Sequence, residues 1–169
     1  MSVLLWVAAL LATSFVPGAV HTYPLQGFDG RWVLDANRSD FGGEQSALRA
    51  REDSITGVEA EKLGISSWYV RASGDTTRLA YGYRTDGEAS NTVAGQLVRT
   101  AGRHVGKALE FVSVVKLLLL ELRVNERWSL AAGGDTLIIE RTSHSPLGNK
   151  HQVLYLSHHD LPGWRSRKP

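Results

Sequence analysis

The chain has 169 residues, no cysteine and a formal net charge of +2 at neutral pH. This length favours one domain, and the missing cysteines exclude disulfides, thiol catalysis and Cys-ligated zinc. A hydrophobic content of 43% and a charged content of 21% are ordinary for a soluble globular protein. The excess of basic residues falls within a short basic tail, residues 160–169. The body therefore carries no basic stripe, and no nucleic-acid partner is predicted.

The N-terminus contains an apolar, uncharged run over residues 3–16. It is too short for a membrane-spanning helix, which needs about 20 residues, but it has the length of a signal-peptide core. We therefore predict a signal peptide over residues 1–22 and a mature chain without a transmembrane domain. An uncleaved anchor and a buried N-terminal helix are the alternatives. An exported chain without cysteine favours a secreted or periplasmic protein of a bacterial cell envelope.

After residue 25 the apolar residues recur with a period of two, which predicts β-strands. In chain order the predicted strands open at Gly30-Arg31-Trp32 and continue over 49–55, 65–72, 76–84, 108–115, 118–130, 136–143 and 150–158. Residues 36–47 are predicted to form a loop or one helical turn.

The clearest alternation lies in residues 118–130. The even positions are apolar apart from Glu126, and the odd positions from Glu121 onward are polar or charged. Because successive side chains of a strand point to opposite faces, this pattern predicts one dry face and one wet face.

Turn residues separate the strands at short intervals. Ser73-Gly74-Asp75, Thr85-Asp86-Gly87-Glu88, Ala94-Gly95, Gly102 to Gly106, Gly133-Gly134-Asp135 and Pro146 to Asn149 all favour tight reversals. Many short strands joined in this way predict an all-β protein, an antiparallel up-and-down meander of about 8–10 strands. The meander is closed as a barrel or, alternatively, folded as a β-sandwich.

The order of several short motifs resembles one family. Phe28-Asp29-Gly30-Arg31-Trp32-Val33-Leu34-Asp35 is followed by Tyr83-Arg84-Thr85-Asp86-Gly87, Arg127-Trp128-Ser129-Leu130 and Gly134 to Arg141. This order is similar to that of secreted bacterial lipocalin-like (calycin-type) proteins of largely unassigned function. The resemblance implies a lipocalin-like β-barrel over residues 23–159. It also implies that Trp32 closes one barrel end under an arginine, Arg141 or Arg127.

Glu126 is the first candidate for a binding role. A carboxylate on a dry face is costly unless it is paired. It is expected to hydrogen-bond a ligand inside the barrel, to pair with Arg141 or Lys116, or to turn outward at a bulge.

Three tyrosines and one tryptophan are candidates for the wall of an apolar cavity: Tyr69, Tyr81, Tyr83 and Trp68. No catalytic residue is predicted, since the sequence lacks the nucleophile-elbow, zinc-protease, phosphate-loop and dinucleotide motifs. No cofactor and no metal are expected. The histidines His158 and His159 diverge on one strand, and His144 and His151 could meet only across a turn.

Two functions compete on this basis. The first is an exported lipocalin-like protein that binds a small apolar or amphipathic ligand, because a barrel of about eight strands can enclose one. The second is a structural or interaction protein of the cell envelope with a filled core. An enzyme is the least favoured reading, and the oligomeric state is left open.

Overall fold

The computed structural model describes residues 25–43, 48–117, 120–146 and 148–159. The predicted signal peptide, 1–22, and the predicted tail, 160–169, lie outside these residues. One turn of 3-10 helix, Leu25–Gly27, precedes ten strands. The strands are β1 (Gly30–Leu34), β2 (Leu48–Glu59), β3 (Lys62–Arg71), β4 (Thr76–Arg84), β5 (Glu88–Val93), β6 (Gln96–Val105), β7 (Ala108–Leu117), β8 (Leu120–Leu130), β9 (Thr136–Ser145) and β10 (Gly148–His159).

The strands form one antiparallel sheet in the order β4-β3-β2-β1-β10-β9-β8-β7-β6-β5. Pairing of β1 with β10 joins the first strand to the last, and the sheet curls into a nearly closed barrel. The all-β meander is therefore confirmed, as a barrel and not as a sandwich. No helix in the described part of the chain has the length and apolarity needed to cross a membrane.

The strands β4 and β5 are the two edges of the sheet and face each other across a gap. The side chain of Asn91 on β5 spans this gap. Its Oδ1 accepts from the Gly82 N–H at 2.7 Å, and its Nδ2 donates to the Gly82 carbonyl at 2.8 Å. One amide thus supplies the pair of hydrogen bonds that a neighbouring strand would make at Gly82.

The two barrel ends differ. The even-numbered strands run toward one end of the barrel, here called the closed end, and the odd-numbered strands run toward the other, the open end. The closed end is filled by buried apolar side chains: Phe28, Trp32, Ile55, Leu63, Leu109, Phe111, Trp128, Leu137, Ile139, Leu154 and Leu156. The hydrophobic core therefore occupies only part of the barrel.

The connection from β1 to β2 extends the β1 ladder along β10. Asp40 and Val153 exchange backbone hydrogen bonds of 2.8 and 2.9 Å, and the Tyr155 N–H donates to Ser39 Oγ at 3.0 Å. Phe41 is buried beside them. Over residues 36–43 the structure has turns, as one of the two expected forms, and residues 44–47 lie outside the description.

Trp32 is buried at the closed end, as the resemblance implies, but the expected arginine is absent from its ring. Its Nε1 donates to the Phe28 carbonyl at 2.8 Å, and the His158 ring meets it edge-on at 4.8 Å between centroids. Arg141 is aligned with Gln152 on β10, whereas Trp32 is aligned with His158. Six residues along a strand correspond to about 20 Å, so Arg141 is too far away.

Arg127 is also wrong as a partner of Trp32. Its Nη1 donates to Glu110 Oε1 at 2.8 Å on the outer face of the barrel. Because Glu126 faces inward, its chain neighbour Arg127 must face outward.

Strands β5 and β6 were not predicted. β5 is largely polar, and β6 is only half apolar and contains Gly102, which the sequence places in a turn. A Cβ at residue 102 would lie 2.0 Å from the Arg84 carbonyl oxygen and 2.8 Å from the Phe111 ring. The glycine therefore serves a close approach between strands, and the reversal comes later, at Gly106 with φ +62°.

Candidate functional site

The open end of the barrel contains a cavity of about 340 Å³. This volume lies at the lower end of the range of small-molecule sites, about 300–1,000 Å³. The apolar part of its wall is made by six aliphatic side chains: Leu79, Val93, Val98, Val115, Leu122 and Val124. It therefore offers an apolar surface to a small molecule, inside the barrel.

Strand alternation and register place these residues. Val98 is aligned with Val115, and Val115 with Leu122, so one layer of small aliphatic side chains crosses three strands. The next layer toward the closed end contains Thr100 and Ser113, whose hydroxyls lie 2.8 Å apart. Short side chains in both layers leave the open end unfilled.

Glu126 lies on the cavity wall with its side chain only 4% exposed. Arg141 stands directly opposite on β9, and its Nε donates to Glu126 Oε1 at 2.7 Å. The other carboxylate oxygen accepts from Trp128 Nε1 at 3.2 Å and from the Tyr83 hydroxyl at 3.4 Å. The expected pairing of Glu126 with Arg141 is confirmed, while its contact with a ligand remains a prediction.

Arg141 lines the cavity, and its side chain is 26% exposed. Burial disfavours its charged form, but the neighbouring Glu126 outweighs that cost, and the pKa of Arg141 lies above its usual value. Arg141 is thus a fixed cation at the cavity wall, held on one side by a carboxylate.

The three predicted tyrosines, Tyr69, Tyr81 and Tyr83, all line the cavity. Tyr83 packs on Phe111 at 4.4 Å between ring centroids. Burial raises the pKa of Tyr81 and of Tyr83 above the ordinary value of 10.0, so both hydroxyls are neutral donors at neutral pH. Tyr81 also shares a 3.2 Å hydrogen bond with Ser67.

Trp68 is wrong as a cavity residue. It follows Ser67 and precedes Tyr69, which both face inward, so its own ring faces outward. There it lines a surface hollow together with Glu52 and Arg78.

Sequence reasoning missed a buried ion pair next to the cavity, Arg51 and Asp53 on β2. Their side chains are 1% and 0% exposed. Arg51 Nε donates to both Asp53 oxygens, at 3.1 and 2.9 Å, and its guanidinium lies 5.3 Å from the centre of the Tyr69 ring. The alternation Arg51, Asp53, Ile55 is the signal that would have revealed it, by the argument applied to Glu126.

The terminal nitrogens of Arg51 are not used by the described part of the chain. Both are buried and have no hydrogen-bond partner there. Nη2 lies 2.7 Å from Asp53 Oδ2, but its N–H groups do not point at that oxygen. Burial disfavours the charge, yet Asp53 outweighs it and the pKa of Arg51 lies well above its usual value. The guanidinium is therefore charged and incompletely hydrogen-bonded.

The other candidate residues lie elsewhere. His144 contacts Asn149 and Asn125, and His151 contacts Thr142. In the described residues no three His, Asp or Glu side chains are grouped as a metal site would require.

Hollows of about 400 and 430 Å³ also occur on the outer surface. Charged outward residues such as Arg78, Arg99 and Arg123 line them. Their lining comes from neighbouring strands on the outer face, β2 to β4 or β5 to β8, whereas residues of the strands β3 to β10 line the interior cavity.

No protein-family model matches the chain, and no match is found among curated proteins. Solved structures do resemble it. The fluorescent protein UnaG is 14% identical with a TM-score of 0.52, covering 80% of this chain and 99% of its own. The zebrafish ileal bile acid-binding protein in complex with cholic acid is 11% identical with a TM-score of 0.53, covering 79% and 99%.

Fatty-acid-binding protein 1 of Echinococcus granulosus is 10% identical with a TM-score of 0.51, covering 80% of this chain and 99% of its own. At such identities the likeness concerns the fold. The chain therefore shares the β-barrel fold of these solved structures.

Proposed function

We propose that this protein binds one small amphipathic molecule in the open-end cavity and catalyses no reaction on it. The observation that carries the proposal is a cavity of about 340 Å³ in which an aliphatic wall meets a buried polar cluster. Ligand sites typically combine an apolar lining with a few well-placed polar groups.

The two parts of the cavity have separate tasks. The aliphatic layer around Val98, Val115 and Leu122 takes the apolar body of the ligand, which gains about 25 cal/mol for each Å² removed from water. Arg141 and the cavity tyrosines donate hydrogen bonds to its polar end. The Glu126 carboxylate holds Arg141 in place before the ligand arrives, so little side-chain entropy is lost on binding.

Barrels of the same fold support this proposal without establishing it for this chain. One similar structure is a bile acid-binding protein in complex with cholic acid, and another is a fatty-acid-binding protein. Both ligands are amphipathic, with a large apolar part and a polar end.

The test is a fluorescence titration with the uncharged probe N-phenyl-1-naphthylamine, followed by displacement with dodecanol. The variant Val115→Phe fills the cavity, and Val114→Phe adds the same ring on the outer face of the same strand. We expect saturable probe binding to the wild type and to Val114→Phe, and its loss in Val115→Phe. Failure of the wild type to bind any member of a broad apolar panel would reject the proposal and favour a non-binding envelope protein.

We further propose that the protein is exported to a secreted or periplasmic location. The support is the apolar run of residues 3–16, which has the length of a signal-peptide core. N-terminal sequencing of protein purified from a bacterial periplasm should find a start near residue 23. An intact N-terminus on protein retained in the cytoplasm would contradict export.

A further inference from the structure

We infer that the cavity accepts an uncharged polar lipid, such as a long-chain alcohol, ester or amide, in preference to a fatty-acid anion. This inference rests on the proposed function and narrows the class of ligand. It is carried by the charge balance of the barrel interior and by the unpartnered donors of Arg51.

The first interior charge pair consists of Arg51 and Asp53, whose opposite charges contact each other. Arg51 and Asp53 are 1% and 0% exposed, and one edge of the guanidinium holds both carboxylate oxygens. Solvent does not reach either group, so their formal charges cancel within the barrel.

The second pair borders the cavity. Of the described residues that line it, the charged ones are Glu126 and Arg141, and they are joined to each other. Glu126 is further satisfied by Tyr83 and Trp128. Together the two pairs carry no net formal charge.

A carboxylate brought to this polar cluster would add one negative charge without a free cation to match it. Burying an uncompensated charge is much more costly than burying a neutral, hydrogen-bonded group. An uncharged oxygen keeps the balance and still accepts hydrogen bonds from the donors present.

Such donors are available at Arg51. Its Nη1 and Nη2 are buried and lack hydrogen-bond partners in the described residues, a condition that native proteins seldom leave without water or a ligand. Tyr69 packs against this guanidinium and also lines the cavity. A rotation of the half-buried Tyr69 ring would bring Arg51 within reach of a ligand oxygen, making Arg51 a second polar anchor beside Arg141.

The test compares four ligands of equal chain length by calorimetric titration at pH 7: dodecanol, methyl dodecanoate, dodecanoate and dodecane. We expect dodecanol and the ester to bind at least about tenfold more tightly than dodecanoate, with dodecane weaker than dodecanol. Binding of dodecanoate as tight as that of dodecanol, with its carboxylate inside or at the open end, would overturn the inference. The proposed function would survive that result, and only failure of all four ligands would count against it.

Variants test the charge argument directly. Asp53→Asn and Glu126→Gln each leave one interior cation in excess, so either should shift the preference toward dodecanoate by about tenfold. The double variant Arg51→Met/Asp53→Asn restores neutrality and should restore the discrimination against dodecanoate. Its affinity for dodecanol should be lower than that of the wild type, because the second anchor, Arg51, is lost. Glu110→Gln, which removes an outer-face carboxylate paired with Arg103 and Arg127, is the matched control and should change neither affinity.

An unchanged ligand preference in folded Asp53→Asn and Glu126→Gln would overturn the inference. Unchanged dodecanol binding in the double variant would show that Arg51 hydrogen-bonds only water, and would overturn its role as an anchor.

Discussion

Glu126 shows what a single side chain can reveal. An acid on the dry face of an alternating strand predicts a partner inside the protein, and Arg141 is that partner. The same reasoning would have exposed Arg51 and Asp53. The pattern is weaker there, because the short, polar run around residue 51 lacks the aliphatic residues that identify the dry face of β8.

Removal of Arg141 should show the value of this pair. Arg141→Met leaves Glu126 buried with only neutral donors, so we expect the free energy of unfolding to fall by about 3 kcal/mol. Glu126→Leu/Arg141→Met removes both charges and should recover most of that loss. Urea denaturation measures both, and equal destabilisation in single and double variants would refute the pairing argument.

Arg127→Met is the control for that experiment. Arg127 lies one residue from Glu126 but on the outer face, with its side chain 45% exposed. Its loss should cost no more than about 1 kcal/mol, as is usual for exposed ion pairs.

The cavity tyrosines predict a distinctive alkaline titration. Burial raises the pKa of Tyr81 and Tyr83, so both should remain protonated in the native protein beyond the ordinary tyrosine pKa of 10.0. Because their folded pKa values exceed the unfolded ones, stability should fall as the pH rises above 10.0. In ultraviolet difference spectra, the tyrosine ionisation signal of the folded protein should be the same in Tyr81→Phe as in the wild type, because Tyr81 ionises only when the protein unfolds. A smaller signal in folded Tyr81→Phe would place Tyr81 in solvent.

At the scale of elements, the period-two pattern was enough to find eight of the ten strands. The two that escaped, β5 and β6, carry Asn91, Thr100 and Gly102 at inward positions. Asn91 spans the gap, Thr100 faces the cavity, and Gly102 permits a close approach. At each of these inward positions, a residue with another role stands where a regular strand would have an apolar side chain. The alternation that predicts a half-buried strand is therefore weaker in β5 and β6.

The Asn91 contact gives a test at this scale. Asn91→Ala removes two hydrogen bonds to Gly82, and we expect a loss of about 1–2 kcal/mol in the free energy of unfolding. Hydrogen exchange of the β4 amides should accelerate, as local opening at a sheet edge becomes easier. Ser90→Ala, on the exposed face beside it, is the control, and identical exchange in both variants would contradict the bridging role.

Register limited the prediction of tertiary contacts. The motif order indicated that Trp32 closes the barrel, but its partner depends on how β9 aligns with β10 and β1. That alignment places His158 at Trp32 and moves Arg141 six residues away along β10. Alternation within a strand can be read from a sequence, whereas the alignment between distant strands requires the whole sheet.

At the scale of the whole molecule, the barrel divides into a closed end packed with large apolar side chains and an open end where short side chains such as Val98, Thr100 and Ser113 leave a cavity. The fold class and the three cavity tyrosines could be predicted because they follow from alternation. The division into a filled half and a hollow half could not, since it depends on which residues of ten strands meet in the same layer.

The open end of the barrel is the proposed ligand site. The most direct measurement is a methyl-resolved NMR titration of the folded protein with dodecanol. We expect saturable shifts at the cavity methyls of Leu79, Val98, Val115 and Leu122, with the outward methyls of Val112 and Val114 unchanged. Shifts confined to the outer face, or none at saturating dodecanol, would contradict the account.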